Sequence, residues 1–271
     1  VQNLPLLVSD FRSNLHPIMS LPEIKVLPDI PAIALEAAER IVAAAAAAVR
    51  EGRMFSLSLS GGSTPKALYE LLASSHYRSQ IDWVHTELFF GDERGVPPDH
   101  PDSNYAMAYR ALLSKVPIPG DNIYRIRGEI EATEAAKEYG LMLKEKFGSG
   151  GVDLALLGLG ADGHTASLFP GTPAVREQDH RMVGQLVENS TTGKSWRITM
   201  TAPFLNRSRA VLFMVAGTDK SGAVQQVIEG AREPEKFPAQ LIDPALTKIT
   251  WLLDPAAAGM YDAEEGEWSE V

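Results

Sequence analysis

The 271 residues include 45% hydrophobic and 22% charged side chains, an ordinary globular balance with room for one large α/β domain or two small ones. The absence of cysteine excludes disulfides, thiolate metal sites and a cysteine nucleophile. The formal charge of -10, without any Lys/Arg cluster, excludes a nucleic-acid footprint, so an anion site has to be assembled locally from helix N-termini and a few placed cations.

No apolar run has bilayer length, and the Ala43 to Ala48 block is too short and too weakly hydrophobic to count as one. The N-terminus shows no basic region followed by an apolar core and a small-residue cleavage site, so no signal peptide is expected and the expected compartment is the cytoplasm. Residues 1–22 hold scattered apolar residues without sustained period and read as an N-terminal extension. Pro31 to Arg50 reads as a long alanine-rich helix that Gly52 ends. Met54 to Leu59 alternates apolar residues with serine and runs into Ser60-Gly61-Gly62-Ser63-Thr64-Pro65. Thr64 suits an N-cap and Pro65 the first helical position, predicting a helix through Leu72. A glycine-serine turn feeding a helix N-terminus offers free backbone N–H groups, an anion cradle without lysine; the plainer reading is a β-turn-α connection.

Thr86 to Phe90 is the next predicted strand, followed by Gly91-Asp92-Glu93-Arg94, ionisable residues placed for a site at a strand end or for a surface ion pair. Asp102 or Ser103 caps a helix to about Leu113. Asp121 to Arg127 is expected as a strand and Thr133 to Phe147 as a helix, with Gly148 to Gly151 leading into the next strand rather than marking a domain boundary.

Val152 to Leu157 is an apolar run suited to a strand buried on both faces, and it empties into Gly158, Gly160 and Gly163, with His164, Thr165 and Ser167 directly after. Ligands of open α/β sheets bind beyond strand ends, so His164 is a candidate for chemistry. Two tamer readings stand beside it. The Gly158-x-Gly160-x-x-Gly163 spacing satisfies a dinucleotide fingerprint, but Pro170 and Gly171 end the helical stretch after about two turns, where that motif needs a full helix. His164 also suits a packed residue capping a helix start.

Val175 to Ser195 is polar and reads as irregular or edge-like. Trp196 to Thr201 alternates as a strand, with Arg197 expected on the face opposite its bulky neighbours. Ala210 to Val215 is a buried strand leading through Gly217 and Lys220 to a helix from Ser221 to about Glu229. Lysine in a first helical turn opposes the dipole, which a bound anion would rationalise. Ile249 to Leu253 is the last strand, Asp254 starts a short helix, and residues 262–271 read as an acidic tail after a domain over 23–261.

Five ordered blocks carry a family likeness: Ser60 to Pro65, Gly91 to Arg94 with Asp102-Ser103-Asn104-Tyr105, Gly158 to Pro170, Arg197 to Thr201, and Gly217-x-x-Lys220; the ending Trp251 to Ala258 fits as well. Over roughly residues 24–260 the chain resembles the lactonase branch of the glucosamine-6-phosphate isomerase/6-phosphogluconolactonase superfamily. The resemblance implies one α/β domain with a doubly wound, mainly parallel sheet flanked by helices, Rossmann-like and similar to glucosamine-6-phosphate deaminase. The implied reaction is hydrolysis of 6-phospho-D-glucono-1,5-lactone to 6-phosphogluconate in the oxidative pentose phosphate pathway, without cofactor or metal. Its partner would be that small molecule, with no nucleic acid and no membrane, in a monomer or small homo-oligomer.

The implied roles are acid/base work for His164 and substrate or phosphate binding for Gly61, Gly62, Ser63, Thr64, Asp92, Arg94, Gly163, Arg197 and Lys220. An imidazole titrates near neutrality and can serve as base and acid, and arginine forks pair with phosphate oxygens. Asp92 would orient Arg94 or meet a sugar hydroxyl, and oxyanion donors would be backbone N–H groups around Gly160 to His164. The sister deaminase/isomerase branch typically shows Gly-His-Ile-Ala-Phe and Asp-Glu-Tyr where this chain has Gly163-His164-Thr165-Ala166-Ser167 and Asp92-Glu93-Arg94, which favours the lactonase. A non-catalytic sugar-phosphate sensor would need a DNA-binding module, and the non-basic N-terminus supplies none.

Overall fold

The computed structural model describes residues 21–189 and 193–259. The expectations for an extension and an acidic tail therefore fall, apart from residues 21 and 22, outside the described residues. The chain begins with β1 (Glu23–Val26), a strand that no sequence pattern flagged, and continues into α1 (Ile30–Arg50). Asp29 caps α1, its Oδ1 accepting the Ala32 N–H at 2.8 Å, and Pro31 lies in the first turn, where its missing N–H costs nothing. Ile33, Ala37, Ile41, Ala45 and Ala48 recur at helical spacing and are buried. The small alanines let this long helix lie close on the sheet.

β2 (Phe55–Leu59), α2 (Ser63–Leu72), β3 (Thr86–Phe90), β4 (Asp92–Arg94) and α3 (Asn104–Ala111) follow. Next come α4 (Ala132–Phe147), β5 (Leu154–Leu157), β6 (Met182–Asn189), β7 (Gly193–Met200) and α5 (Ala202–Leu205). β8 (Ala210–Val215), α6 (Ser221–Ile228) and β9 (Lys248–Leu253) complete the described chain. Six strands form one all-parallel sheet in the order β1-β9-β8-β5-β2-β3, and β4-β7-β6 form a separate antiparallel sheet. This is the expected mainly parallel α/β domain flanked by helices. Chain order reverses direction across the β5–β2 neighbours, the place where an open sheet of this kind leaves a crevice at its strand C-termini. Among the described residues, no helix is long and apolar enough to cross a membrane.

All residues of β2, β3 and β5 are buried, as in a parallel sheet covered on both faces. The serines of β2 are accommodated by partners: Ser56 Oγ donates to Asp153 Oδ2 at 2.9 Å, and Ser58 Oγ lies 3.7 Å from Met200 Sδ. Phe213 and Trp251 stack at 3.8 Å between centroids on the adjacent β8 and β9.

Several sequence expectations need correction. Asp121 to Arg127 is not a strand: a single-turn helix at Gly120–Asn122 leads to one isolated bridge between Leu88 and Ile123. Arg125 then closes a bidentate pair with Glu129 at 2.8 and 2.9 Å. Within Val175 to Ser195, expected to be irregular or edge-like, only the irregular alternative fails: residues 182–189 are an edge strand whose pairing with β7 runs in register from Met182↔Met200 to Asn189↔Gly193. No helix forms after Gly163, where turns and a Thr165–Leu168 bridge stand instead. Asp254 starts no helix; its carboxylate caps a turn by accepting the Ala257 N–H at 2.7 Å.

Candidate active site

Four neighbouring strands of the large sheet, β8-β5-β2-β3, end on one rim, and each releases a stretch singled out by the sequence. Lys220 follows β8, His164 follows β5, the 61–64 turn follows β2, and Asp92 to Arg94 follow β3. Adjacent strands lie about 4.8 Å apart, so these segments are close by construction.

The turn after β2 begins at Ser60, whose N–H donates to Tyr69 Oη at 2.9 Å while that hydroxyl donates back to Ser60 O at 2.8 Å. Burial pushes the Tyr69 phenol far up, so it stays a neutral clamp. Gly62, not Thr64, is the N-cap of α2, because φ of +105° lets glycine turn the chain sharply and start the helix two residues early. No side chain caps this terminus and no acidic residue lies in its first turn, leaving its N–H groups and positive dipole end for an anion.

β4 and β7 place Arg94 directly opposite Arg197, and Asp92 opposite Thr199, on one face of the small sheet. Directly opposite residues have Cβ atoms about 5 Å apart, so like charges there are unfavourable unless an anion joins them. Arg197 is only 7% exposed. Among the described residues its guanidinium has no hydrogen-bond or ion-pair partner, and it sits on the face of Asp92, opposite Trp196 and Ile198 as expected. Burial and then the Arg94 charge push its pKa down, against nearby Asp92, Asp102 and Glu93. Arg94 donates from Nη1 to the carbonyl of Asp102 at 2.6 Å, so Asp92 does not orient it through a side-chain bond. The Asp92 carboxylate instead accepts Ser167 Oγ at 2.6 Å and Asn104 Nδ2 at 3.1 Å.

Glu93 points the other way and binds α3 to this strand. Its buried carboxylate accepts the N–H groups of Arg94 (2.8 Å), Asn104 (2.7 Å) and Tyr105 (2.9 Å) and the Ser103 hydroxyl (3.0 Å). Burial pushes its pKa up, and these four donors only partly offset that. A raised pKa means that the folded state holds the proton more tightly than the unfolded one. This group therefore lowers stability as pH rises from the ordinary carboxylate range through its raised value. Glu93→Gln removes that pH-dependent part but turns an NH2 onto backbone donors, leaving buried N–H groups without acceptors. A loss of about 1–3 kcal/mol is expected at neutral pH, read as a lower denaturant midpoint with unchanged slope.

The His164 loop is folded on its glycines. Gly160 N donates to His164 O at 2.8 Å and Gly163 N to Gly160 O at 2.9 Å. A Cβ on Gly160 would stand 2.0 Å from His164 Nδ1, and Gly163, at φ +79°, packs against Phe237. The His164 N–H is directed to Asp162 Oδ1 at 3.2 Å, so the N–H groups of Gly160, Gly163 and His164 all shape the loop as it stands. Ala166 is the one described non-glycine residue at positive φ (48°). That strained backbone is pinned on either side by Thr165 Oγ1 donating to Gly158 O at 2.8 Å and by Ser167. Ser167 N donates to Thr199 Oγ1 at 3.1 Å and its hydroxyl to Asp92, which docks the loop on the face of the small sheet that carries both arginines.

His164 Nδ1 lies 2.5 Å from Asp162 Oδ1, and the ring stacks on Phe169 at 4.2 Å. Burial pushes the Asp162 carboxyl up, but the His164 contact and backbone N–H groups outweigh it and hold the carboxyl below its usual range. Asp162 is thus a carboxylate that accepts Nδ1–H, leaving Nε2 as the free nitrogen. The side chain of His164 is 28% exposed.

Asp92, Arg94, Arg197 and His164 with Gly163 are therefore joined by contacts or a shared face, and the turn at 61–64 reaches Asp92 through Asn104, whose amide meets Gly61 and donates to the carboxylate. Lys220 is joined only through strand order; it occupies the N-cap position of α6, and its Nζ pairs with Asp219 at 2.9 Å, which answers part of its dipole conflict. Sequence reasoning gave no role to Asp162, Asn104, Ser167, Thr199 or Tyr69, although Ser167 stood out beside the histidine and Asp162, Asn104 and Thr199 lie within the blocks that carry the family likeness. Tyr69 alone left no signal. Among the described residues, no group of three or more His, Asp or Glu side chains is arranged to hold a metal ion.

The family described as glucosamine-6-phosphate isomerases/6-phosphogluconolactonase matches residues 28–251. A 6-phosphogluconolactonase of Nostoc sp. is 39% identical over 241 residues, covering 86% of this chain and 96% of the relative. The solved 6-phosphogluconolactonase of Trypanosoma brucei is 28% identical with a TM-score of 0.79, covering 88% of this chain and 98% of that one. A monomeric glucosamine-6-phosphate deaminase, 20% identical with a TM-score of 0.75 over 88% of this chain and 99% of its own, shares the fold alone. The chain belongs to the glucosamine-6-phosphate isomerase/6-phosphogluconolactonase family.

Proposed function

We propose that this chain hydrolyses 6-phospho-D-glucono-1,5-lactone to 6-phospho-D-gluconate, the lactone-opening step of the oxidative pentose phosphate pathway. The observation that carries the reading is the Arg94–Arg197 pair, facing each other without a carboxylate ion-pair partner among the described residues, on the face where the His164 loop docks. Two guanidinium groups, the open N-terminus of α2 and Lys220 match a phosphate dianion in type and charge. His164 Nε2 takes a proton from water as its oxygen adds to the lactone carbonyl carbon. When the tetrahedral intermediate collapses, the bond to the ring oxygen breaks and that oxygen receives the proton back from Nε2. Asp162 holds the required tautomer and stabilises the transient imidazolium. Asp92, buried and held by two donors, is placed to accept a sugar hydroxyl.

The test is turnover of freshly generated 6-phosphogluconolactone, corrected for spontaneous hydrolysis, beside glucosamine 6-phosphate. Hydrolysis of the first without deamination of the second is expected, and the reverse pattern would move the chain to the sister activity. Within this mechanism, Asp162→Asn keeps the size of the side chain but can present its NH2 to Nδ1 and favour the wrong tautomer. We expect kcat to fall by roughly 10-fold or more with KM little changed, from loss of a charge-assisted hydrogen bond to the base. Unchanged kcat would restrict Asp162 to shaping the loop.

A further inference from the structure

Asn104, at the start of α3, is 2% exposed and lies between two parts of the site. Its Nδ2 donates to the Asp92 main-chain oxygen at 2.9 Å and to Asp92 Oδ1 at 3.1 Å. Both partners are acceptors only, so the amide cannot be flipped without setting oxygen against oxygen. The other amide atom, Oδ1, is buried without a hydrogen-bond partner among the described residues. It is turned onto Gly61, where a Cβ would stand 2.1 Å from Oδ1 and 2.7 Å from Cγ of Asn104. A buried acceptor without a donor is unfavourable, and an apolar side chain filling this space would avoid it.

We propose that Asn104 is a positioning residue that sets the separation between the glycine turn at 61–64 and the Asp92–Arg94 strand. Through Nδ2 it fixes the Asp92 carboxylate, and through the contact of its amide with Gly61 it stops the turn from closing onto that strand. The inference rests on the lactonase reading above, in which the turn meets phosphate and Asp92 meets the sugar. A substrate bridging both groups is then read at one fixed span, whereas a lactone without phosphate engages only one side. Gly61 is required on the same argument, since any side chain there displaces the turn or the amide.

The test compares Asn104→Ala, Asn104→Ser, Gly61→Ala and the double variant Gly61→Ala/Asn104→Ala in the full chain. Folding is checked by thermal unfolding, and kcat/KM is measured for phosphorylated and unphosphorylated gluconolactone. Asn104→Ala and Asn104→Ser should each lose roughly 10-fold on the phosphorylated lactone and several-fold less on the other. Gly61→Ala should lose at least as much alone, but the three nearest neighbours of the added methyl are all amide atoms of Asn104, which the second substitution removes. The double variant should therefore be no worse than Gly61→Ala. Equal losses on both lactones, or losses that multiply in the double variant, would overturn the positioning role in an active enzyme. A wild-type chain inert toward the phosphorylated lactone would defeat the proposed function itself, and this inference with it.

Discussion

Replacing His164 with alanine should lower kcat for the phosphorylated lactone by roughly 10²–10⁴-fold, the usual worth of a positioned general acid/base. Nδ1 is committed to Asp162, so Nε2 is the nitrogen that can exchange a proton with water and the ring oxygen. The ring is partly exposed and rests on Phe169, so the substitution leaves a notch at the surface rather than a closed cavity, and the fold should survive it. The arginines lie on β4 and β7, outside the His164 loop, so phosphate binding should persist. Single-turnover hydrolysis, corrected for the spontaneous rate, measures the effect. Full activity in His164→Ala would return the residue to a packing role.

The second large effect has opposite signs for stability and activity. Arg197→Met keeps most of the buried stem while removing one charge from a pair that forms no ion pair with a described carboxylate. Each charge-assisted phosphate contact contributes about 1.5–3 kcal/mol, so kcat/KM for the phosphorylated lactone should fall by roughly 10- to 150-fold. The unphosphorylated lactone should lose far less. Without ligand, the thermal midpoint of Arg197→Met should be unchanged or higher, because burial and the Arg94 charge both disfavour the guanidinium. Equal losses on the two lactones, together with a lower midpoint, would mark Arg197 as a structural residue.

The parallel sheet was legible because its inner strands are short apolar runs bounded by glycine, as at Leu154–Leu157 and Ala210–Val215. β1 was not, since Glu23 and Lys25 look like loop residues until Arg40 and Glu36 on α1 pair with them at 2.7 Å. β6 was left open between irregular and edge-like because the surrounding 175–195 segment is polar, and its register with β7 decides for an edge strand. At the site, residue types gave the histidine and the cations, because glycine turns, arginine and imidazole carry their chemistry locally. The contacts that place them are long-range. Ser167 meets Asp92 across 75 positions and Asn104 meets Gly61 through space, and no spacing in a sequence announces either. Thr64 was misplaced as a cap because local preference favours threonine, whereas the left-handed geometry open to Gly62 decided where the helix starts.

The central claim is that cations on the small sheet hold the phosphate while His164 does the chemistry at the other end of one site. Calorimetric titration of the product, 6-phosphogluconate, into wild type, His164→Ala and Arg197→Met separates these two tasks, since no turnover is involved. The account predicts affinity within a few-fold of wild type for His164→Ala and a loss of roughly 10-fold or more for Arg197→Met. Loss of binding in His164→Ala with wild-type affinity in Arg197→Met would contradict it.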